Sequence, residues 1–436
     1  MLAAVNAASA QGGQLPDKLT LKADLTLKAT YDDNVFILNA PPSPGITPPP
    51  GSLIALPRKG SSITTVTPTL NLSRRVGSAF TASVSYAADL VWYHSASSED
   101  HLTHRGSINF TGTARQATYD VLSSVVRIDG NHLGPTTLRP GDCRAVGGIP
   151  LRDRRDAAVY RGVFKLTIPA GKWFVRPVVS GYAHDFQTAQ RANLAAERNR
   201  FVYDNFISRW DANAGLDIGY AVFDKTKLVA GYRFGHQFQS TVLKEGSAGD
   251  LIVNSPYVSD YQRFLVGVEG TPAPWLKVAV LGGPEVRDWQ RATPSGFDRG
   301  ETLWYVDGLV TLQRTDQAFT LRTTRFQQPA FTSQSVYEDM KYDLSWRNKF
   351  TRKLTAGAGF TYYVGKWQAP VLRDDWIYTK SLTASYAFSP HVIADASWSH
   401  DNAVNKVTPV VGMSTEFAEG RGYTRHLVSV GLKYAL

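Results

Sequence analysis

From Phe80 to Trp92 every second residue is apolar: Phe80, Ala82, Val84, Tyr86, Ala88, Leu90 and Trp92 share one face, opposite Thr81, Ser83, Ser85 and Asp89. Successive strand side chains point to opposite sides, so a two-residue period means a strand with one greasy and one wet face. The same pattern runs through Leu21, Ala23, Leu25, Leu27, Ala29 and Tyr31, and again through Trp210, Ala212, Ala214, Leu216, Ile218 and Tyr220. It returns at Met340, Tyr342, Leu344 and Trp346, and from Leu354 to Val364. Several of these segments run about 10 to 14 residues, the reach of a tilted membrane strand, whereas soluble sheets favour about 5 to 6.

Short and long connections alternate. Short polar turns fall at Val76-Gly77-Ser78, Arg115-Gln116-Ala117, 169–172, Phe223-Asp224-Lys225, 271–274, 314–317, 350–353 and Ser389-Pro390-His391. Between them lie longer polar stretches near 32–62, 94–103, 130–154, 187–200, 239–258, 287–302, 327–335, 365–375 and 401–421. Tight turns on one rim and long loops on the other are the asymmetry of bacterial outer-membrane barrels. The pattern predicts an all-β, antiparallel, up-and-down transmembrane barrel of about 18 strands over residues 20–436. Poor alternation near 118–129 and 173–184 leaves 16 as the alternative count.

Composition agrees. Apolar residues make up 43 % and charged residues 19 % of the 436, with 10 Trp, 20 Tyr and 20 Phe. No run approaches the roughly 18 apolar residues of a membrane helix. Cys143 is the single cysteine, so an internal disulfide is excluded. The formal charge of +10 comes from scattered Lys and Arg, without a basic helix or zinc-ligand spacing, which argues against nucleic acid. Ala8-Ser9-Ala10 has the small-x-small form of an export-signal cleavage site, and residues 1–19 read as a signal remnant and leader.

The chain's end carries an independent signal. Val428, Val430, Leu432, Tyr434 and Leu436 alternate to the last residue. Ser429, Gly431, Tyr434 and Leu436 resemble the terminal signal read by the barrel assembly machinery, with Leu where most such proteins have Phe or Trp. Because a free sheet edge is untenable in lipid, the first strand is expected to pair with the last.

If the apolar face meets lipid, the other face lines a lumen. Lys22, Lys28, Arg161, Lys165, Arg233, Arg263, Lys277, Arg322, Lys341, Arg347 and Lys433 fall there as candidate selectivity residues, with Arg105, Arg176 and Arg425. The acidic set is Asp24, Asp89, Asp211, Asp217, Glu269, Asp307, Asp339, Asp343 and Asp395. An excess of positive charge concentrates anions; the competing reading is that these charges pair across strands. Lys380 falls on the lipid face, where it can snorkel to the rim. Tyr93, Tyr182, Tyr305 and Tyr363 face the lumen as sugar-stacking surfaces or as filler.

Enzymatic readings fare poorly. His400-Asp401 beside Ser399, and His94-Ser95, contain triad residue types without a third member or oxyanion element. Asp32-Asp33-Asn34 could offer oxygen ligands to a cation, yet an Asx turn after the first strand accounts for it. Nothing argues for a cofactor. The Pro-rich stretch Pro41-Pro42-Ser43-Pro44 to Pro48-Pro49-Pro50 cannot pair in a sheet.

Tyr31-Asp32-Asp33-Asn34-Val35-Phe36, directly after the first alternating strand, resembles the opening motif of the β-barrel porin 2 family. The resemblance extends over the chain through strand spacing and the amphipathic end. It implies an outer-membrane barrel. Members encoded with exopolysaccharide systems further imply a conduit for acidic polysaccharide, working with a periplasmic polysaccharide-export protein. A passive porin for small anionic or sugar solutes, or a closed structural or adhesion barrel, are the alternatives.

Overall fold

The computed structural model describes residues 18–37, 58–77, 79–130, 142–143, 145–149, 157–186, 207–244, 251–330, 335–369, 372–408 and 422–436. The cleavage-site triplet and the Pro-rich stretch lie outside them. The wall begins with β1 (Lys18–Asp32), β2 (Ser61–Val76), β3 (Phe80–Tyr93), β4 (His101–Ala114), β5 (Ala117–Gly130) and β6 (Ala157–Ala170). It continues with β7 (Trp173–Phe186), β8 (Arg209–Phe223) and β9 (Thr226–Gln239). A small hairpin, β10 (Thr241–Lys244) and β11 (Leu251–Asn254), sits within the next loop. Then follow β12 (Ser259–Ala273), β13 (Leu276–Trp289), β14 (Leu303–Arg314), β15 (Gln317–Pro329) and β16 (Val336–Lys349). The last four are β17 (Leu354–Trp367), β18 (Arg373–Ala387), β19 (Val392–Val407) and β20 (Tyr423–Ala435).

Eighteen of these form one antiparallel sheet in chain order, and β1 pairs with β20 to close it. The closing register runs from Asp24 opposite Ala435 to Asp32 opposite Leu427. The count is therefore 18, and the two poorly alternating segments are β5 and β7. Their lumen faces carry Val126, Ile128, Phe174, Val178 and Tyr182, all buried inside the barrel. Alternation fades there because both faces are apolar.

Asp32-Asp33-Asn34 clasps the seam. Asp32 Oδ1 accepts the Asn34 backbone N–H at 2.9 Å, the expected Asx turn, and its carboxylate takes both Nε (3.0 Å) and NH2 (2.5 Å) of Arg425 from β20. Asp33 Oδ1 accepts the backbone N–H of His426 at 2.7 Å, and the Asn34 amide donates to the Thr424 carbonyl at 2.8 Å. First and last strands are thus fastened at their outer ends by side chains as well as by the ladder.

The outer surface is apolar in a continuous band. Leu27, Leu72, Ile218, Phe234, Leu344 and Val430 are exposed along it. At the short-turn rim stand Trp173, Phe223, Trp275, Phe350 and Phe388; toward the long loops stand Tyr31, Trp92, Tyr160 and Trp304. An apolar belt this extensive is untenable in water, and two aromatic girdles bracket it as they do in barrels that cross lipid. The short turns mark the periplasmic rim.

Candidate functional site: a bridged and charge-sorted lumen

The lumen is crossed by chain. Residues 142–143 and 145–149, from the β5–β6 loop, lie between opposite walls. On the near side Asp142 takes the Arg105 guanidinium (Nε 2.9 Å, NH2 2.8 Å), and Cys143 packs against Val126, Ile128, Val159 and Tyr182. On the far side, half-way round the wall, the backbone N–H groups of Val146 and Gly147 donate to Asp339 Oδ2 at 2.9 and 3.0 Å. Gly148 N–H donates to the Tyr363 hydroxyl at 2.8 Å and Ile149 N–H to Asp375 Oδ2 at 3.0 Å. Four consecutive amides turned to one side make a nest for anionic oxygen. Gly147 and Gly148 allow it, with φ of 83° and 82°, a region that side chains with a Cβ disfavour.

The seat is fixed from behind. Tyr363 donates to Asp339 at 3.3 Å, and Arg373 NH2 donates to Asp375 Oδ2 at 2.7 Å while stacking 3.9 Å from the Trp367 ring centre. Ile149 enters an apolar cluster with Ile37, Tyr363, Ile377, Ala403 and Tyr423. The seat is not fully satisfied: Asp339 Oδ1, Asp375 Oδ1 and two Arg373 nitrogens are buried without a protein partner.

A second element leans in. The outer end of β15 points its carbonyls at strands other than its ladder partners β14 and β16. The Gln327 carbonyl takes Arg287 NH2 at 2.9 Å and Gln237 Nε2 at 3.3 Å; those of Pro329 and Ala330 take Arg209 and Gln239. Tyr337, on β16, stacks on Trp367 with ring centres 5.0 Å apart.

Charge is sorted along the axis. From mid-wall outward the cations are paired, and in the periplasmic half Arg176 is paired as well. Arg263 and Arg287 share Glu285, the latter at 2.6 Å; Arg176 and Arg233 share Asp217 at 2.9 and 2.6 Å, and Arg176 adds Glu269 at 2.8 Å. Arg105 bridges Asp89 and Asp142, and Lys341 meets Asp343 at 3.0 Å. Lys433, lower down, pairs with Asp24 at 3.1 Å. Among the described residues, Lys22, Lys165, Lys277, Arg322 and Arg347, all in the periplasmic half, have no ion pair, and neither does Lys28 at mid-wall. They face only Asp120, Asp307 and Asp395 as unpaired acids of the lower wall. Arg161 is inward and half-buried on β6.

The candidate cations of the sequence thus all face inward, but they divide. Arg233, Arg263 and Lys433 pair across strands and Lys341 pairs with Asp343 along β16, so the expectation of a uniformly open basic wall is corrected for them. Opposed charges on neighbouring strands find each other at these spacings, which no linear pattern reveals. The four lumen tyrosines are also fillers here: Tyr93, Tyr182 and Tyr363 are buried in apolar clusters, and Tyr305 lies under Arg263, 4.1 Å from its ring centre.

The pleat separates the triad types: Ser399 and Asp401 face inward, while His400 faces outward. His94 Nε2 lies 2.8 Å from Thr64 Oγ1. Sequence reasoning placed Asp375 and Arg373 in a loop and missed the bridge. The one available signal was Gly147-Gly148 inside a long polar loop.

No family model matches the chain, and no curated relative does. The resemblance carried by Tyr31–Phe36, strand spacing and the amphipathic end rests on the sequence alone. Solved structures align over nearly its whole length. OpdQ of Pseudomonas aeruginosa covers 96 % of this chain and 97 % of its own at 8 % identity and a TM-score of 0.42. OpdK of the same organism covers 96 % and 99 % at 10 % identity and 0.41. An anion-selective porin from Comamonas acidovorans covers 97 % and 100 % at 10 % identity and 0.34. Scores this low carry no argument, so fold and place rest on barrel closure, belt and girdles. The chain is an outer-membrane β-barrel.

Proposed function

We propose that the barrel is a gated outer-membrane pore passing anionic material from the periplasm outward, with acidic polysaccharide as its cargo. The observation that carries this reading is the sorting of lumen charge. Unpaired Lys22, Lys165, Lys277, Arg322 and Arg347 stand at the periplasmic mouth, while the bridged outer half is internally neutralised. A mouth of that sign gathers anions from the compartment it faces. The resemblance at Tyr31–Phe36 supports the polymer and a periplasmic export protein as partner. On β20, Ser429 and Gly431 would face inward, and Tyr434 and Leu436 outward, as the strand read by the assembly machinery.

A passive porin for small anionic or sugar solutes is the second reading, favoured by the chain that crosses the lumen at 142–143 and 145–149. Deletion of the gene in a strain that makes surface polysaccharide separates the two. Loss of exported polymer with unchanged solute uptake supports export. Unchanged polymer with slowed anion uptake overturns export in favour of the porin.

A further inference from the structure

One register row on the outer surface breaks the apolar belt. Phe360, Lys380, His400 and His426 are direct partners across β17, β18, β19 and β20. All four face lipid, for each alternates with a buried lumen residue: Tyr363, Ile377, Ala403 and Arg425 lie on the other parity. The row above it holds Tyr362, Tyr378, Asn402 and Thr424, and the row below holds Leu382, Trp398 and Val428. Tyr342, Tyr362 and Tyr378 stack at 6.1 and 5.2 Å and belong to the outer girdle. Lys380 and the two histidines therefore sit directly under that girdle, where a snorkelling side chain reaches the level of lipid headgroups.

The row is built. The His400 and His426 rings stack at 4.2 Å, and Trp398 supports both from below at 6.4 and 6.2 Å. Lys380 and His426 are exposed. His400 Nδ1 is buried without a hydrogen-bond partner in the protein. No carboxylate stands among the outward residues of these three rows on β17–β20. The nearest acid, Asp33, is engaged by Arg58 at 2.5 Å and by the His426 backbone. Arg58 also reaches Thr424 Oγ1 at 3.3 Å, adding a second cation at the upper edge.

A lysine and two imidazoles facing lipid are unfavourable unless something there meets them, and the counterpart must be anionic and lipid-borne. We propose that Lys380, His400 and His426 form an external seat for the phosphate of an outer-leaflet glycolipid. The ammonium supplies charge, the imidazoles supply N–H donors, and Leu382 and Val428 lie below for the acyl chains. The seat is independent of what the pore carries.

The test uses the full barrel in phosphatidylcholine nanodiscs doped with bisphosphorylated lipid A, with retained lipid read by native mass spectrometry. Wild type should retain lipid A and should not retain its dephosphorylated form. Lys380→Ala/His400→Ala/His426→Ala should lose retention severalfold, and the same chain with Lys380→Arg alone should keep it. Heat-modifiable migration checks that the triple variant is closed; if it is not, Lys380→Gln is read instead and should show a partial loss. Equal retention by wild type and variant, equal binding of the dephosphorylated lipid, or displacement by inorganic phosphate alone would each overturn the seat.

Discussion

The backbone N–H of Ile149 donates to the carboxylate of Asp375 at 3.0 Å, from a loop that leaves the wall half a circumference away. This single bond states what the lumen is: a space crossed by its own chain, with the crossing held by carboxylates that accept main-chain donors. From Asp142 to Ile149 the chain reaches at most about 26–29 Å when fully extended, which bounds the width it crosses. A bridge made of hydrogen bonds to charged oxygens, with orphaned atoms beside it, is a contact that water can replace.

Gly148→Val should release the bridge. An added Cβ would stand 2.6 Å from Asp375 Oδ2 and 3.1 Å from Trp367 Cζ2, at a φ of +82° that valine resists. Single-channel conductance in a planar bilayer should rise severalfold over wild type. Unchanged conductance would show that the segment does not limit flow.

Replacing Lys22, Lys277, Arg322 and Arg347 by Gln should shift the reversal potential in a salt gradient away from anions. The effect should shrink at high salt, because the screening length falls from about 10 Å at 0.1 M to about 3 Å at 1 M. Removing the Lys341–Asp343 pair together, as Lys341→Gln/Asp343→Asn, should instead leave selectivity nearly unchanged, since the pair carries no net charge. Equal shifts from both sets would refute the sorting of charge.

Period and turn chemistry made the barrel legible. Strand count, turn positions, first-to-last pairing and the outward face all follow from alternation, a local property of the chain. The site was half legible. That Lys22, Arg263 and Lys341 point inward is a matter of parity; that Arg263 meets Glu285 while Lys22 meets no acid depends on which strands become neighbours. The bridge was hidden for a different reason. Amides of 146–149 are main-chain groups without a residue-type signature, and their acceptors Asp339, Tyr363 and Asp375 lie some 200 positions away. Weak alternation in β5 and β7 was the trace the bridge left, because the inner faces it packs against are apolar.

Glu301, in the loop between β13 and β14, should make that loop pH-sensitive. Burial, with Glu338 and Asp298 nearby, holds its carboxyl above the usual glutamate range, and the Gln368 amide donates to it. An acid whose folded value is raised stabilises the folded loop below its ordinary range and loses that contribution as pH rises through the folded value. Protection factors across 290–302, corrected for the pH dependence of intrinsic exchange, should therefore be higher at pH 4 than at pH 7. In Glu301→Gln the difference should vanish, with protection at pH 7 raised; a variant that keeps the pH dependence would assign it elsewhere.

Glu285→Gln should be the most destabilising single substitution in the lumen. Glu285 is 1 % exposed and is the shared partner of Arg263 and Arg287, which stack on Tyr261 at 4.3 and 5.2 Å. Removing its charge leaves two buried guanidinium groups facing each other, at a cost of about 3–5 kcal/mol for a broken buried pair. The loss should reach the constriction too, because Arg287 also holds the Gln327 carbonyl at 2.9 Å and Gln237 at 2.5 Å. Heat-modifiable migration should show the barrel opening at a clearly lower temperature. Adding Arg263→Met should recover part of the stability by removing one uncompensated charge, whereas a purely steric role for Glu285 predicts that the second substitution only worsens the defect.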